Sequence, residues 1–178
     1  STSTTALLNI FRSKKPDEVN FWRPSGRTQF KAIEPGALFL FKLKRPYNHI
    51  AGGGFFVRHS ILPLSLAWQA FGEKNGASSY NALSQMILNL RHDQSPNPMI
   101  GCSVLTNPFF LPEPEWIPAP RDWSSNIVQG KTYDTDEHSG RRIWNEVMER
   151  MKLDRDNEIA LPISTAIAEP EQRYGSDF

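Results

Sequence analysis

The stretch that decides the fold is Ile50-Ala51-Gly52-Gly53-Gly54-Phe55-Phe56-Val57-Arg58-His59-Ser60. Its β-branched and aromatic residues predict a strand, which three consecutive glycines interrupt. Glycine inside a strand indicates a bulge, or a close approach by another backbone or by a ligand. The glycines do not form a phosphate loop, because they are contiguous and the residues after them look like strand rather than helix. Gly52, Gly53 and Gly54 are therefore candidates for a close backbone approach.

Two more strands and three helices are predicted around this stretch. Alternating and β-rich segments predict strands at 37–43 and 99–110, and Pro35-Gly36 supplies the turn before the first. Apolar residues at helical spacing predict helices at 64–71, 79–90 and 140–151. The proline-alternating segment 111–120 is expected to be an extended surface strap, with Trp116 and Ile117 tucked onto the core. Together these elements predict an α+β fold.

The net charge of +1 conceals a polarised chain. Residues 1–60 carry ten basic against three acidic side chains, and the remainder carries ten against sixteen. A segment with a charge of +7 can steer a polyanion to one face of the protein, provided that the sequence halves map onto surface halves. The ten basic residues are Arg12, Lys14, Lys15, Arg23, Arg27, Lys31, Lys42, Lys44, Arg45 and Arg58.

Several classes of protein are not indicated. No apolar run approaches the length of a membrane span, so we expect a cytoplasmic protein with no membrane partner. The single cysteine, Cys102, has apolar neighbours and is expected to be a buried structural thiol.

No complete catalytic constellation is recognisable in the chain. The histidines at 49, 59, 92 and 138 are scattered singly, without metal-ligand spacing. The acidic run 134–137 lacks the glycine of a calcium loop, so a solvated turn is the better interpretation. We therefore predict no catalytic residues, no metal site and no cofactor in this chain.

Two segments carry the residue types of a base reader. Phe21 and Trp22 stand beside Arg23 and Arg27 next to Pro24-Ser25-Gly26, a turn that would expose them on a loop. The alternative is that the two aromatic residues plug the end of the core. Segment 122–133 combines Trp123, Asn126, Gln129 and Lys131, and amide side chains can read base edges.

At these segments the chain resembles the N-terminal region of bacterial putative HNH restriction endonucleases. The resemblance covers residues 17 to about 151. It rests on strings that occur in the family's order, among them Asn20-Phe21-Trp22-Arg23-Pro24-Ser25-Gly26, Ala67-Trp68-Gln69-Ala70-Phe71-Gly72-Glu73-Lys74-Asn75-Gly76 and Asn126-Ile127-Val128-Gln129-Gly130-Lys131-Thr132-Tyr133.

The resemblance implies a PUA-like fold related to EVE, ASCH and YTH domains, which is a small, mostly antiparallel β-barrel with peripheral helices. Residues 1–151 would form this DNA-reader domain, and residues 152–178 would be a linker or docked tail leading to an HNH nuclease domain that the chain lacks. A divalent metal is expected only in that absent domain. A homodimer through the nuclease half is left open.

The implied function is recognition of a modified base in double-stranded DNA, such as 5-methyl- or 5-hydroxymethylcytosine, by base flipping. The expected base-binding residues are Trp22, Phe21, Ser25, Trp123, Asn126 and Gln129. The expected phosphate contacts are Arg23, Arg27 and Lys131, and the glycines would let the strand approach the ligand.

Three alternatives remain open on the sequence. PUA-like domains also bind RNA through splayed bases. A small ASCH-type hydrolase acting on a modified nucleoside would need a pocket carboxylate, for which Glu34 and Glu73 are the conspicuous candidates. A protein-docking domain would be favoured if the aromatic residues of the 20–27 segment were fully buried.

Overall fold

The computed structural model describes residues 8, 11–26, 33–124 and 131–151, together with the backbone of residues 164–168. Seven strands form one sheet: β1 (Glu18–Arg23), β2 (Leu38–Lys42), β3 (His49–Pro63), β4 (Met99–Phe110), β5 (Ile117–Pro118), β6 (Lys131–Asp134) and β7 (Ser164–Ala168). Helices with fully described bounds are α1 (Leu64–Phe71), α2 (Tyr80–Leu90) and α3 (His138–Met151), and residues 11–14 are also helical. Short 3₁₀ turns lie at Gly72–Asn75 and Glu113–Glu115.

The sheet is mostly antiparallel and follows the order β1-β4-β3-β2-β7-β6, with β5 pairing with the start of β3. Among the described strand pairs, β2 and β7 are the one parallel pair. Among the described strands, β1 and β6 end the order and do not pair, so the sheet is not closed into a barrel. The fold is therefore α+β with a mostly antiparallel sheet, as predicted.

Helices α1, α2 and α3 lie on one face of the sheet, whereas Phe11, in the helical residues 11–14, packs on the other face. Alternation along β1 sends Trp22 towards α1 and α2, where Leu64, Leu83 and Ile87 are fully buried. Neighbouring β2 residues point to opposite faces in the same way: Leu40 packs with Ile143 of α3, whereas Phe39 joins a cluster of phenylalanines on the other face. Because both faces of the central strands are buried, these strands are apolar throughout rather than alternating.

The long strand β3 organises the sheet. Its first half pairs with β2 on one side and β4 on the other, and its second half, beyond Phe55, continues along β4. The register shifts between Gly53 and Phe55 and again between Phe56 and Arg58, so the predicted bulge is confirmed. A Cβ on Gly52 would lie 2.3 Å from the carbonyl oxygen of Phe109. The close approach that the glycines permit is thus an approach to the protein's own backbone.

Most predicted elements are confirmed. The strand 99–110 and the helix 64–71 are found with the predicted bounds, and Ser79 caps α2 by accepting a hydrogen bond from the amide of Ala82 at 3.1 Å. Ile117 and Cys102 are fully buried as expected.

Two predictions need correction or extension. The expectation of an exposed loop around Phe21 and Trp22 is wrong, because strand β1 continues through Arg23. Part of the predicted C-terminal tail, residues 164–168, pairs with both β2 and β6. The sheet therefore extends past residue 151.

Candidate nucleic-acid interface

The predicted site residues fall into two groups near opposite ends of β3. Trp22 and Arg23 are paired with β4 at positions that in turn face Ser60 and Ile61 of β3. Trp123 lies instead beside Lys42, whose partner is Ile50 near the start of β3. At about 3.3 Å per residue, the two groups are on the order of 30 Å apart along the strand. They do not form one pocket.

Trp22 is a core residue. The residue is 8% exposed, and its indole Nε1 donates a hydrogen bond to the carbonyl oxygen of Asn75 at 2.9 Å. Asn75 is itself buried and receives a second bond from β1, donated by Asn20 Nδ2 at 2.8 Å. These contacts tie β1 to the helical layer, so the geometry does not fit Trp22 as the wall of an aromatic base-binding cage.

Phe21 points to the other face of the sheet. Its ring stacks on Phe41 with centroids 5.3 Å apart and an interplanar angle of 16°, and Phe41 in turn stacks on Phe110. Phe21 is partly buried and packs against this phenylalanine cluster. Alternation along β1 therefore separates the two aromatic residues that the sequence placed side by side.

Arg23 lies beneath the surface rather than on it. It is 5% exposed, which does not suit a phosphate contact. Nearby, His59 Nδ1 lies 3.0 Å from the hydroxyl of buried Ser103. Burial, and after it the charge of Arg23, lower the pKa of His59 below its usual value. The environment therefore favours the neutral form of the imidazole.

An open groove of about 450 Å³ lies at this end of the sheet. Ser25 and Gly26, which follow β1, contribute one side of it. The remaining lining comes from β3, from the start of β4 and from the loop between α2 and β4, and consists of Ile61, Arg91, Asp93, Ser95, Asn97, Pro98 and Met99. A Cβ on Gly26 would lie 2.7 Å from Ile61 Cγ2, so glycine is needed where the loop closes against β3.

The groove was not predicted, apart from Ser25. Residues 91–98, which line it, carry Pro96, Asn97 and Pro98 between a helix and a strand. These residue types indicate a loop, but they do not indicate a ligand. The apolar side chains at Ile61 and Met99 looked like ordinary strand residues. Met99 differs from an ordinary strand residue in being 48% exposed, and this exposure can be seen only in the folded structure.

The second group surrounds Trp123. The Nζ of fully buried Lys42 lies 4.9 Å from the centroid of the Trp123 ring. Lys131 Nζ lies 2.6 Å from Asp122 Oδ2 and 4.6 Å from the centroid of the Tyr133 ring. Burial alone would raise the pKa of Asp122, but the hydrogen bond and charge of Lys131 lower it overall. The Lys131 charge, predicted to hold phosphate, is thus already bound to a carboxylate.

Three expected site residues, Arg27, Asn126 and Gln129, lie outside the described residues. The two carboxylates considered for a hydrolase do not line the groove. Glu34 is exposed, and Glu73 pairs with Lys14 at 2.7 Å.

The described parts of the chain show neither a metal-binding group nor a membrane-crossing helix. Within them, no three His, Cys, Asp or Glu side chains are grouped so that they could hold a metal ion. No described helix is long and apolar enough to cross a membrane.

Comparisons with known proteins give no relative. The chain matches no protein-family model, no curated protein and no solved structure.

Proposed function

We propose that this chain is a DNA-binding module that recognises a modified base, with 5-methyl- or 5-hydroxymethylcytosine as the first candidates. The observation that carries the proposal is the groove beside Ser25. It is concave and open to the surface, and its lining combines apolar side chains, neutral polar groups and the ion pair of Arg91 and Asp93. Those are the features of a small-molecule site, and its volume lies within the usual range of about 300–1,000 Å³.

A base extruded from a duplex needs two kinds of contact. Its faces need apolar or aromatic surfaces, and its edge needs hydrogen-bonding groups. Ile61, Pro98 and Met99 provide the apolar surface of the groove, while Ser25 and Ser95 provide hydroxyl groups. A methyl group on the base would contact the apolar wall, where an unmodified base leaves that contact unmade.

The phosphates flanking an extruded base call for cations on the surface near the groove. Arg58 is exposed on β3, three residues before the groove residue Ile61. We assign a phosphate contact to this arginine, because Arg23 is buried and Lys131 is bound to the carboxylate of Asp122. Each phosphate contact adds to affinity and to its dependence on salt, without reading sequence.

The resemblance extends the proposal beyond this site. The module would be PUA-like, and its open sheet would correspond to the β-barrel of the related domains. It would act as the specificity domain of a modification-dependent HNH restriction endonuclease. In that arrangement this chain recognises the modified base, and a metal-dependent nuclease domain cuts the DNA.

Filling the groove tests the proposal. Ser25 is exposed at the groove, and a Ser25→Trp substitution would place an indole where the base is expected. Fluorescence anisotropy with a duplex carrying one 5-methylcytosine should show that the variant binds modified and plain duplexes equally, because the phosphate contacts remain. Ser78→Trp, at an exposed serine outside the groove, is the matched control and should retain the difference.

Other outcomes would redirect the proposal. If Ser25→Trp retains the full preference for the modified duplex, the groove is not the base site. If a single-stranded RNA binds more tightly than either duplex and Ser25→Trp abolishes that binding, the groove reads RNA. If no nucleic acid binds, the burial of Trp22 favours the protein-docking alternative.

A further inference from the structure

One arginine that lines the groove, Arg91, makes hydrogen bonds to several of the chain segments around the groove. Arg91 follows the last residue of α2, and its side chain is 18% exposed. Its Nη1 donates hydrogen bonds to the carbonyl oxygens of Pro24 and, at 3.3 Å, of Met99. Its Nε and Nη2 donate to the two carboxylate oxygens of Asp93, each at 2.5 Å. Three chain segments that line the groove thus converge on one guanidinium.

These contacts use most of the N–H groups that the Arg91 side chain can donate. A guanidinium carries five N–H groups in a fixed planar fork, and Arg91 makes four hydrogen bonds with it. The two-point pairing with Asp93 fixes the plane as well as the position of the fork. A phosphate could reach Arg91 only in competition with a carboxylate that is already bound.

The two carbonyl groups belong to two neighbouring chain segments at the groove. Pro24 directly precedes Ser25, whereas Met99 begins β4. A single rigid group bonded to both carbonyl oxygens sets the separation between the 24–26 segment and the β4 wall. Because the charges of Arg91 and Asp93 oppose each other across a short contact, the pair adds little net charge to the groove.

We propose that Arg91 is the positioning residue of the groove: held flat by Asp93, it fixes the 24–26 segment against β4 and does not itself bind phosphate. The groove consequently selects an uncharged group such as a base. The identity of the ligand in this inference rests on the proposed function. The clamp, by which we mean the hydrogen bonds from Arg91 that fix the 24–26 segment against β4, can be tested without a ligand.

Two changes separate a positioning role from a phosphate contact. Arg91→Lys keeps the charge and loses the planar fork. The double change Arg91→Gln with Asp93→Asn removes both charges and leaves the net charge unaltered. The matched control is Arg142→Gln with Glu146→Gln, which removes an ion pair of 3.0 Å on α3, outside the groove.

Three readouts are expected to move differently. Hydrogen exchange at the amides of Ser25 and Gly26 should become faster in both Arg91 variants and stay unchanged in the control. The preference for a 5-methylcytosine duplex over the plain duplex should fall by roughly tenfold in both. The slope of log affinity against log salt should stay the same in the double variant, whereas loss of a phosphate contact would reduce it by about one.

The outcomes that overturn the proposal are distinct from failure of the proposed function. A slope reduced by about one with the preference intact would make Arg91 a phosphate contact. Unchanged amide exchange at Ser25 and Gly26 would show that no clamp exists. If the wild-type chain itself shows no preference between the duplexes, the proposed function fails, and the exchange measurement alone then decides whether Arg91 fixes the groove.

Discussion

At the scale of single residues, the polar side chains near the groove differ in burial and in their hydrogen-bond partners, and therefore in the roles that they suit. Arg91 is near the surface and makes four hydrogen bonds, whereas Arg23 is buried and acts on its surroundings through its charge. His59 lies 3.0 Å from the Ser103 hydroxyl and is partly buried. Residue type and the family resemblance assigned a phosphate contact to Arg23, because an arginine beside a turn is usually exposed. Burial reverses that assignment.

The His59 environment predicts a pH dependence of stability. Burial and Arg23 lower its pKa in the folded state below the ordinary 6.5. Well above pH 6.5 the imidazole is neutral in both the folded and the unfolded state. As the pH falls below 6.5, the unfolded chain binds a proton that the folded chain resists, so the free energy of unfolding decreases until the folded-state pKa is reached.

We therefore expect urea denaturation to give a lower free energy of unfolding at pH 5.5 than at pH 7.5. His59→Asn, which can keep a hydrogen bond to Ser103, should reduce this difference. Equal differences in the wild type and the variant would show that His59 titrates in the folded protein as it does in the unfolded chain.

At the scale of elements, strand β1 shows where a sequence pattern misleads. Val19 and Phe21 face one cluster and Asn20 and Trp22 face the other, so β1 is buried on both faces and shows no alternation of apolar and polar residues. The turn residues directly after it favoured a loop. By contrast, α1 and β4 were predictable to the residue, because apolar periodicity and β-rich composition ran along their whole length.

The short strands could not be predicted. β5 has two residues and β6 has four, which is too few for a period to show, and their pairing depends on distant partners in β3 and β7. The groove escaped prediction for the same reason. Its lining comes from the segment after β1, from β3 and β4, and from the loop after α2, and only tertiary pairing brings those segments together.

The junction of β1 with the helical layer predicts a stability effect at Trp22. Trp22→Ala removes a core side chain and the hydrogen bond to Asn75, and should cost about 3–5 kcal/mol of unfolding free energy, measured in urea. Trp123→Ala, at a partly buried tryptophan, is the comparison and should cost less. A Trp22→Ala protein of unchanged stability that has lost base preference would restore Trp22 as a base-binding residue.

At the scale of the whole molecule, the charge of the first sixty residues is only partly a surface charge. Arg23 and Lys42 are buried, and Lys14 is paired with Glu73. Arg12, Lys15, Arg45 and Arg58 remain exposed. The polarity of the sequence is therefore weaker on the described surface than its count of +7 indicates, and specific binding depends more on the groove than on the overall field.

The central claim is that this module distinguishes a modified base in DNA. It is tested most directly by titrating the chain with matched duplexes, plain and carrying 5-methyl- or 5-hydroxymethylcytosine, at two salt concentrations. We predict that one modified duplex binds roughly ten times more tightly than the plain one or better, and that added salt weakens both while leaving their ratio nearly constant. Equal, weak and salt-insensitive binding to all duplexes would contradict the account.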